Sequence, residues 1–452
     1  MKILVIASNR ENMPERVAPL GAYIVADRLL RLGHQVEFLD LAFCDSSEKA
    51  LREAILKKEP ELIAISIRNI ELNSFPQATY ILPLIKVLVD SCRNLTKAKI
   101  LLGGTGFSIM PKTIFSYLGA DYGLVGEAEK NIDLFIEGYK NKNLSNCSGL
   151  LYKDKNGKVV FNERKISDAI DASLTKRFNY DNYPSINIQT KRGCVFKCNY
   201  CVYPGLEGSK VRLKEPLKVV DEIEFFASRR KPFYFVDSVF NFPVEHAIQI
   251  CKEIIQRKIN IKWSSQIQPR YMDSELAILM AKAGCQSVSI GIDTLSESVL
   301  ESIGKSFSLE EVGKCNQLLK KNNIEANYYL LFGHLGEDAK AVKETFQNIK
   351  LLNLDKGLIL TGVRVHPNTQ LARKLEQKGL LKESLTPTYC FFGEKHNEML
   401  HLIQSLAKKF PTWTFPGLRL NLRSFDKPNL EEYMALEDWQ KATAEQQTAK
   451  IL

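Results

Sequence analysis

The chain has 452 residues, of which 45% are hydrophobic and 25% charged, and its formal net charge is +10. This length predicts about three domains. No run approaches the ~20 consecutive apolar residues of a membrane span, and the opening MKILVIASNR reads as a first strand, so we expect no secretory signal. The positive charge is spread as lysines along predicted helices without interleaved aromatic residues. We therefore expect a solvated surface and no nucleic-acid partner.

Strand and helix patterns alternate over residues 1–140. Apolar runs typical of buried strands are separated by amphipathic stretches of helix length, which predicts a doubly wound, Rossmann-like parallel sheet. The predicted strands are KILVIA, QVEFLDL, ELIAISI, KILLGG and DYGLVG. Such sheets bind ligands in the crevice at the carboxyl ends of their strands.

Polar and glycine-rich segments follow these strands. Glycine allows a bulky ligand to approach the backbone closely. The first strand is not followed by G-x-G-x-x-G, so a dinucleotide is not the favoured ligand. The candidate ligand-binding residues are Ser8, Asn9, Ser66, Arg68, Asn69, Gly103, Gly104, Thr105, Gly106, Phe107, Gly126 and Glu127.

Residues 141–184 are predicted to connect two domains. The run LLYKDKNGKVVFN contains two short alternating segments around Asn156-Gly157, which predicts a β-hairpin. The polar stretch that follows it is typical of a linker.

A second strand–helix alternation begins at Ser185. Its strands are SINIQT, FYFVD, NIKWSS, QSVSIGID, EANYYLLFG and GLILTGV. Six repeats predict a partial (β/α)6 TIM-type barrel over residues 185–375, with an active site at the carboxyl-terminal rim of the strands. Residues 376–452 are predicted to form a mostly helical cap that contributes to the substrate site. In or just before this region, Arg364, His366 and Tyr389 are candidates to face the substrate.

Three cysteines lie close together in the run TKRGCVFKCNYCVYP, directly after the first barrel strand. Cys194, Cys198 and Cys201 have the spacing C-x3-C-x2-C, which places three thiolates on one tight loop near one metal centre. Structural zinc sites have four protein ligands, and iron–sulfur clusters are usually held by four cysteines. The next cysteine, Cys251, lies in a helical core pattern, so one coordination position is expected to be open. The alternatives are a zinc site with a distant fourth ligand and three unrelated core cysteines.

The other seven cysteines are isolated along the chain. Scattered single cysteines are typical of reduced thiols, so we expect a cytoplasmic protein. They are Cys44, Cys92, Cys147, Cys251, Cys285, Cys315 and Cys390.

The cysteine loop, with Gly193 before it and Tyr200 within it, resembles the signature of the radical S-adenosylmethionine (radical SAM) enzymes. The resemblance implies a 4Fe–4S cluster on three cysteines, with S-adenosylmethionine (SAM) on the fourth iron and Tyr200 near its adenine. Relatives often have glutamate and serine where this chain has Asp293 and Thr294. The residues at strand ends implied to bind SAM are Asp237, Ser238, Asn241, Gln266, Gly291 and Asp293, with Gly333 nearby.

The first domain resembles the cobalamin-binding domain of one branch of radical SAM enzymes. The phrases PLGAYIVADRL, AISIRNI, LLGGTGFSIMP and DYGLVGEAE carry this resemblance. The D-x-H-x-x-G motif that supplies a histidine ligand to cobalt is missing. His34 lies in a turn before the second strand, at the amino end of the sheet and thus at the wrong end for the ligand, where we expect a surface residue. The resemblance therefore implies cobalamin without a histidine ligand (His-off). Arg68 either approaches the cobalt or forms a salt bridge or cap.

Together these resemblances imply a cobalamin-dependent radical SAM methyltransferase. It would transfer a methyl group from SAM through methylcobalamin to an unactivated carbon, using a 5′-deoxyadenosyl radical and an electron donor such as flavodoxin or ferredoxin. The substrate (a small molecule, lipid or peptide) is not predicted. The alternatives are ring closure or contraction, methylation without the radical, and a non-catalytic cobalamin-binding sensor.

Overall fold

The computed structural model describes residues 1–12, 15–71, 80–129, 131–170, 173, 175–381, 388–390, 392, 395–415 and 450–451. These residues form two compact units, the first up to Tyr183 and the second from Pro184 onwards. No helix within the described ranges is both long and apolar enough to cross a membrane.

The first unit is built on a seven-stranded sheet in the order β2-β1-β3-β4-β5-β6-β7. Strands β1–β5 are parallel, and β6 and β7 continue the sheet in antiparallel pairing. The strands are β1 (Lys2–Ala7), β2 (Gln35–Asp40), β3 (Leu62–Ser66), β4 (Lys99–Gly103), β5 (Tyr122–Leu124), β6 (Leu150–Lys153) and β7 (Val159–Phe161). The helices are α1 (Leu20–Arg31), α2 (Ser47–Lys58), α3 (Leu82–Leu95), α4 (Thr105–Ile109), α5 (Pro111–Leu118) and α6 (Asn131–Asn141).

The order of these strands explains where a ligand can bind. The chain leaves β1 for the neighbouring edge strand β2 and returns to β3 on the other side of β1. Connections on the two sides of such a switch point diverge, which opens a crevice at the carboxyl ends of β1 and β3. Strand β1 has the continuous buried pattern from Ile3 to Ala7 that a sheet covered on both faces requires.

The hairpin predicted around Asn156-Gly157 is confirmed as β6 and β7. The Asp154 carboxylate accepts hydrogen bonds from the backbone N–H groups of Asn156 and Lys158, both at 2.9 Å. The hairpin is part of the first sheet. The segment predicted to connect two domains therefore contributes two strands to the first unit.

The second unit contains the predicted partial barrel. Six parallel strands, with the short strand β18 beside the last of them, form a sheet in the order β18-β15-β14-β13-β12-β11-β8. Its strands are β8 (Ile186–Ile188), β11 (Phe233–Phe235), β12 (Trp263–Ile267), β13 (Cys285–Asp293), β14 (Glu325–Phe332), β15 (Gly357–Thr361) and β18 (Trp413–Thr414). Short strands outside this sheet are β9 (Lys191–Arg192), β10 (Arg212–Leu213), β16 (Val363–Arg364), β17 (Thr388–Cys390) and β19 (Lys450–Ile451).

Helices connect the barrel strands in sequence. They are α7 (Tyr203–Glu207), α8 (Pro216–Ala227), α9 (Val244–Gln256), α10 (Ser274–Lys282), α11 (Glu297–Ile303), α12 (Leu309–Lys321), α13 (Ala339–Leu351), α14 (Gln370–Gln377) and α15 (His396–Ala407). Only α15 and the end of α14 represent the predicted helical cap among the described residues. The rest of that prediction falls largely on residues 416–449, outside the described ranges.

Gly104 provides a test of the first unit. It has φ +98°, and a Cβ there would lie 2.4 Å from the Ile67 carbonyl oxygen. Gly119 also has positive φ, but a Cβ there would meet nothing within 4 Å. We expect Gly119→Ala to cost about 1 kcal/mol through backbone strain alone and Gly104→Ala to cost clearly more. Calorimetric unfolding of both variants checks this, and equal losses would contradict it.

Candidate functional site

The switch-point crevice of the first unit is lined by residues predicted from the sequence. Ser8 follows β1 and donates its hydroxyl hydrogen to the Ser66 carbonyl at 2.9 Å, which joins the ends of β1 and β3. Arg68 is exposed just beyond β3, and Asn69 next to it is half-buried. The structure therefore brings together four of the predicted residues at the position where such sheets bind ligands.

Glu11 lies in the same crevice and was not predicted. Its carboxylate accepts a hydrogen bond from the Asn69 amide at 2.5 Å. Burial raises the pKa of Glu11 to about 7, and the nearby Arg68 charge opposes this rise only in part. Nothing in the local sequence distinguishes Glu11 from a surface acid, because its burial depends on the long-range contact with Asn69.

Two glycines after β4 form a close backbone approach to the β3 loop. A Cβ at Gly106 would lie 2.9 Å from the Arg68 carbonyl oxygen, and Gly104 is equally confined. Ser108, which was not predicted, connects this segment to the loop after β5, because its hydroxyl oxygen accepts a hydrogen bond from the Gly126 N–H at 2.8 Å. The glycine-rich segment, which begins with Gly103 at the end of β4, therefore shapes the crevice through its backbone.

The other residues predicted around this crevice differ in their surroundings. Phe107 is fully buried, and a Cβ at Gly123 would lie 2.4 Å from its ring. Its ring is thus packed in the core, so the predicted ligand contact of Phe107 stays a prediction for its backbone. Thr105 is exposed at the start of α4, and Glu127 is half-buried after β5.

His34 was expected at the surface and is in fact buried, with 7% exposure. Its Nδ1 lies 3.4 Å from the amino group of Met1, at the amino end of β1 and away from the crevice. Burial lowers the pKa of His34. Its position agrees with the expectation that His34 lies at the wrong end of the sheet for the ligand.

The cysteine loop of the second unit is fixed by backbone hydrogen bonds. The Cys194 N–H donates a hydrogen bond to the Gly208 carbonyl at 3.0 Å, and the Cys201 N–H donates one to the Cys198 carbonyl at 3.1 Å. Asn199 in the middle of the loop bonds Ile303 through its N–H at 2.9 Å and Ser302 through its side chain at 3.0 Å. Its carbonyl accepts from Leu371 at 2.9 Å.

The three thiols of this loop lie near one another. Burial raises the pKa of Cys201 to about 12, and the charges of Cys198 and Cys194 contribute to this rise. In the described part of the chain, no group of three or more His, Cys, Asp or Glu side chains could hold a single metal ion. In a 4Fe–4S cluster each cysteine binds a different iron, so this donor set fits a cluster of that kind.

A buried lysine that was not predicted lies beside these thiols. The Lys305 ammonium is 2.8 Å from the Asp293 carboxylate and donates to the Gly291 carbonyl at 2.8 Å. The Tyr200 hydroxyl donates to the same carboxylate. Burial alone would lower the pKa of Lys305, but Asp293 and then Cys198 outweigh it and raise the pKa overall. Lys305 follows a helix-ending glycine, but nothing in the sequence shows that it turns inward.

Asp293 itself has an unusual backbone conformation. Its φ is +60°, and the pairing of β13 with β14 shifts register between Gly291 and Asp293. A bulge of this kind turns a side chain towards a new direction at the end of a strand. The structure thus gathers three of the predicted residues, Tyr200, Gly291 and Asp293, around Lys305.

Two other residues predicted to bind SAM have structural contacts. Both Asp237 carboxylate oxygens accept hydrogen bonds from Thr190, through its N–H at 2.7 Å and its hydroxyl at 2.6 Å. The Asn241 side chain is fully buried and bonds the backbone of Gln268 in both directions at 2.9 Å. These contacts hold the loops in place, and the expected contact of the two side chains with SAM stays a prediction.

The remaining predicted rim residues fall into two groups. The Ser238 hydroxyl oxygen is buried without a partner, and Gln266 is exposed in β12, so both can contact a ligand. Thr294 is instead fully buried and bonds Thr345 at 3.0 Å. Burial lowers the pKa of His366 to about 3. Arg364 is half-buried in β16, and the side chain of Tyr389 lies outside the described set.

His334 and Glu337, just after β14, were not predicted. His334 is 3% exposed, and its ring centroid is 5.7 Å from that of Tyr200. The Glu337 carboxylate accepts hydrogen bonds from the N–H groups of Gly333 at 2.7 Å and His334 at 3.2 Å. Gly333 was expected at the rim, and its φ of +103° forms the turn.

Comparison with known protein families connects the two sites. Residues 9–135 match the B12 binding domain, and residues 188–349 match the radical SAM superfamily. These two ranges contain the switch-point crevice and the cysteine loop. The chain therefore carries a match to the B12 binding domain and a match to the radical SAM superfamily in series. The zinc site and the unrelated core cysteines are thereby set aside.

Curated relatives of this radical SAM chain include methyltransferases. It is 24% identical over 449 residues to the tryptophan 2-C-methyltransferase of Streptomyces laurentii, covering 83% of this chain and 74% of the relative. It is also 24% identical over 389 residues to an uncharacterized methyltransferase of Pyrococcus horikoshii, covering 82% of each.

A solved structure supports the fold of this radical SAM chain over almost its whole length. The radical SAM methyltransferase TsrM from Kitasatospora setae, with tryptophan and a SAM analogue bound, matches with a TM-score of 0.82 at 20% identity and covers 98% of both chains. OxsB, a cobalamin-dependent SAM radical enzyme, matches with a TM-score of 0.73 at 14% identity, covering 90% of this chain and 66% of OxsB. The predicted order of Rossmann-like sheet and partial barrel is therefore confirmed.

Gly304 provides a test of the cysteine loop. It has φ +75°, and a Cβ there would lie 2.5 Å from the Lys197 carbonyl oxygen inside the loop. We expect Gly304→Ala to displace the loop and to lose most of its iron after anaerobic reconstitution. Gly379→Ala is the matched control, because it has positive φ with nothing within 4 Å. Iron and sulfide analysis measures the effect, and equal iron in both variants would exclude this role for Gly304.

Glu11 predicts a pH dependence of stability. Because burial raises its native pKa above the unfolded value, the native state binds the proton more tightly. The resulting stabilisation is present below the unfolded pKa and is lost as the pH rises through about 7. Glu11→Gln should therefore reduce the fall in unfolding free energy between about pH 5 and about pH 8, by on the order of 2 kcal/mol.

Denaturant unfolding of the cobalamin-free protein at several pH values measures this change. Glu53→Gln, on the exposed face of α2, is the control and should leave the pH profile as it is. An unchanged profile in Glu11→Gln would show that Glu11 does not hold its proton in the native state.

Proposed function

We propose that this chain is a cobalamin-dependent radical SAM methyltransferase that methylates an unactivated carbon of its substrate. The observation that carries the proposal is the presence in one chain of a B12-binding match and a radical SAM match with three cysteines in C-x3-C-x2-C spacing. Both sites lie at the carboxyl ends of parallel strands, where cofactors bind in such folds. The intact cysteine loop argues against a non-catalytic sensor.

In the second unit, Cys194, Cys198 and Cys201 would hold a 4Fe–4S cluster. SAM would bind beside it, where the Lys305 ammonium and the Asp293 carboxylate offer partners to its charged carboxylate and amino groups. Burial of this pair excludes water, which strengthens its interactions with charged ligands. The candidate SAM contacts are Tyr200, Asp237, Ser238, Asn241, Gln266, Gly291, Asp293 and Lys305.

In the first unit, the crevice between β1 and β3 would hold cobalamin in the His-off form. Its support is the backbone cradle of Gly104 and Gly106 and the burial of His34 at the opposite end of the sheet. Arg68 and Glu11 would lie towards the lower face of the corrin. The residues that would contact cobalamin are Ser8, Ser66, Arg68, Asn69, Gly103, Gly104, Thr105, Gly106, Gly126 and Glu127, with the backbone of Phe107.

When bound, these cofactors supply the one-electron cleavage of SAM and the methyl transfer. The protein binds and orients them, excludes water and sets the charge around the cluster, which affects its reduction potential. A flavodoxin or ferredoxin would supply the electrons. The ten cysteines are free, which agrees with a reducing cytoplasm.

The names of several relatives favour methylation at carbon. They include the tryptophan 2-C-methyltransferase and two bacteriochlorophyllide d methyltransferases of Chlorobaculum tepidum. One comparison favours a second candidate, ring closure. The anaerobic magnesium-protoporphyrin IX monomethyl ester cyclase of Rubrivivax gelatinosus is 26% identical over 375 residues, covering 76% of this chain.

The proposal is tested with protein purified anaerobically from cells supplied with cobalamin. We expect about one cobalamin and a four-iron cluster per chain, and transfer of label from methyl-labelled SAM to a carbon of the substrate. Cys198→Ala should abolish the cluster and turnover, whereas Cys315→Ala, a buried thiol in α12, is the control. Iron without cobalamin would refute the methyltransferase proposal.

Product ratios separate the alternative reactions. Radical methylation should yield 5′-deoxyadenosine and methylated product in equal amounts, whereas methylation without the radical yields product alone. Ring closure would yield 5′-deoxyadenosine without a methylated product.

A further inference from the structure

The cysteine loop of the second unit reaches the solvent on its outer side. Val195 and Lys197 lie between Cys194 and Cys198, and both are exposed, whereas the cysteines are half-buried. Tyr203, at the start of α7, is 45% exposed, and Val195 is 40% exposed. Solvent-accessible surface therefore lies within two residues of each of the three cysteines.

A further exposed apolar side chain lies on the strand beside this loop. Leu213 in β10 is 44% exposed, and β10 pairs with β9, which ends at Arg192 just before the loop. The Cys194 N–H bonds the Gly208 carbonyl at 3.0 Å, which holds the segment between α7 and β10 against the loop. Single exposed apolar residues are ordinary, but a group of them on adjoining elements marks an interaction site.

The acids around this surface are all engaged. Residues 191–224 contain five acidic residues, and every one of them has a hydrogen-bond or ion-pair partner. The Glu207 carboxylate accepts a hydrogen bond from the Gly193 N–H at 3.0 Å. The ion pairs are Glu215–Lys218 at 3.0 Å, Glu222–Lys214 at 3.1 Å, and Asp221 and Glu224 with Arg257 at 2.7 Å and 2.9 Å. The segment therefore offers no free carboxylate to its own remaining lysines.

Two lysines of the same segment have no such partner. The Lys197 and Lys210 side chains are exposed, and neither makes a hydrogen bond or an ion pair with another described residue. A Cβ at Gly193 would lie 2.0 Å from the Lys210 carbonyl oxygen, so Lys210 is held against the start of the loop. On the opposite side of the loop the exposed Glu301 of α11 is balanced by the exposed Arg373 of α14. The excess charge at the loop surface is therefore positive.

The apolar and basic character of this surface indicates the kind of partner that fits it. Electron transfer slows steeply with distance, so a protein that reduces a cluster on the cysteine loop has to approach a surface close to the thiols. Electron-transfer complexes are weak and bury little area, and opposite charges raise their rate of encounter. A flavodoxin presents the apolar edge of its flavin within an acidic surface, which complements apolar side chains flanked by two ammonium groups.

We propose that Val195, Lys197, Tyr203 and Lys210 form the docking surface for a reduced flavodoxin. One electron leaves the flavin and enters the cluster, so the flavin is oxidised by one electron and the cluster is reduced by one, and no bond forms or breaks. This inference rests on the proposed function, because it requires a 4Fe–4S cluster at the cysteine loop.

The test measures the second-order rate of cluster reduction by reduced flavodoxin in cobalamin-loaded, anaerobically reconstituted protein. The readout is the EPR signal of the reduced cluster in rapidly frozen samples. The wild-type rate should fall as NaCl is added, because salt screens the attraction. The double variant Lys197→Glu/Lys210→Glu should react about tenfold more slowly at low salt and lose most of the salt dependence.

Two controls separate docking from damage to the cluster. Lys262→Glu/Lys282→Glu makes the same change in charge at exposed lysines next to the amino ends of β12 and β13, and it should keep the wild-type rate. Reduced methyl viologen, a small cation that needs no docking surface, should reduce the cluster of Lys197→Glu/Lys210→Glu no more slowly than that of the wild type. If this variant does not assemble its cluster, Lys210→Glu alone, outside the cysteine run, should lower the flavodoxin rate about threefold.

The outcomes separate this inference from the proposed function. Wild-type protein that assembles no four-iron cluster would refute the proposed function. Equal flavodoxin rates in the two double variants would leave that function standing and overturn the docking surface. A ferredoxin rate that falls in Lys197→Glu/Lys210→Glu while the flavodoxin rate does not would overturn the choice of partner. A wild-type dimer that this variant loses in sedimentation, with no change in the flavodoxin rate, would overturn it as well, because the surface would then bind a second copy of the chain.

Discussion

The buried ion pair between Lys305 and Asp293 organises the rim of the second unit. A charged pair of this kind is costly to bury, and substitution by apolar residues is often neutral or stabilising for a fold. Its presence beside three cysteines is therefore best explained by the chemistry of the rim. The ammonium offsets the negative charge of nearby thiolates, and the carboxylate anchors Tyr200 at the end of the cysteine loop.

Both units use parallel sheets in the same way. Parallel strands bury both faces, so polar side chains have access to ligands mainly beyond the strand ends. In the first unit the successive strands β2 and β3 lie on opposite sides of β1, and this switch in strand order opens a crevice at the carboxyl ends of β1 and β3. In the second unit the strands curve as a partial barrel and present Ser238, Asp293 and His334 at the carboxyl ends of β11, β13 and β14. In each unit the candidate site therefore lies at the carboxyl ends of parallel strands. The first sheet forms it at a switch in strand order, and the second sheet forms it by curving into a partial barrel.

The sequence predicted the features that depend on local patterns. Strand and helix alternation gave both folds, and the spacing of three cysteines gave the cluster loop. The sequence could not show which polar side chains point into a site, because that depends on contacts between distant residues. The sequence did not show, for example, that the Asp237 side chain bonds Thr190 and the Asn241 side chain bonds Gln268. Lys305, His334 and Glu11 were not predicted, because each is defined by burial among residues far away along the chain.

The hydrogen bonds of Asn199 have a consequence for the order of events during biosynthesis. This residue, in the middle of the cysteine loop, is held by Ser302 and Ile303 of α11 and by Leu371 of α14. While the ribosome has made only the first strands of the barrel, none of these partners exists. The loop therefore reaches its final geometry only after the chain has been synthesised and folded as far as Leu371, about 170 residues beyond Cys201. Iron can therefore meet the loop in its native geometry only after Leu371 has been synthesised and α14 has folded.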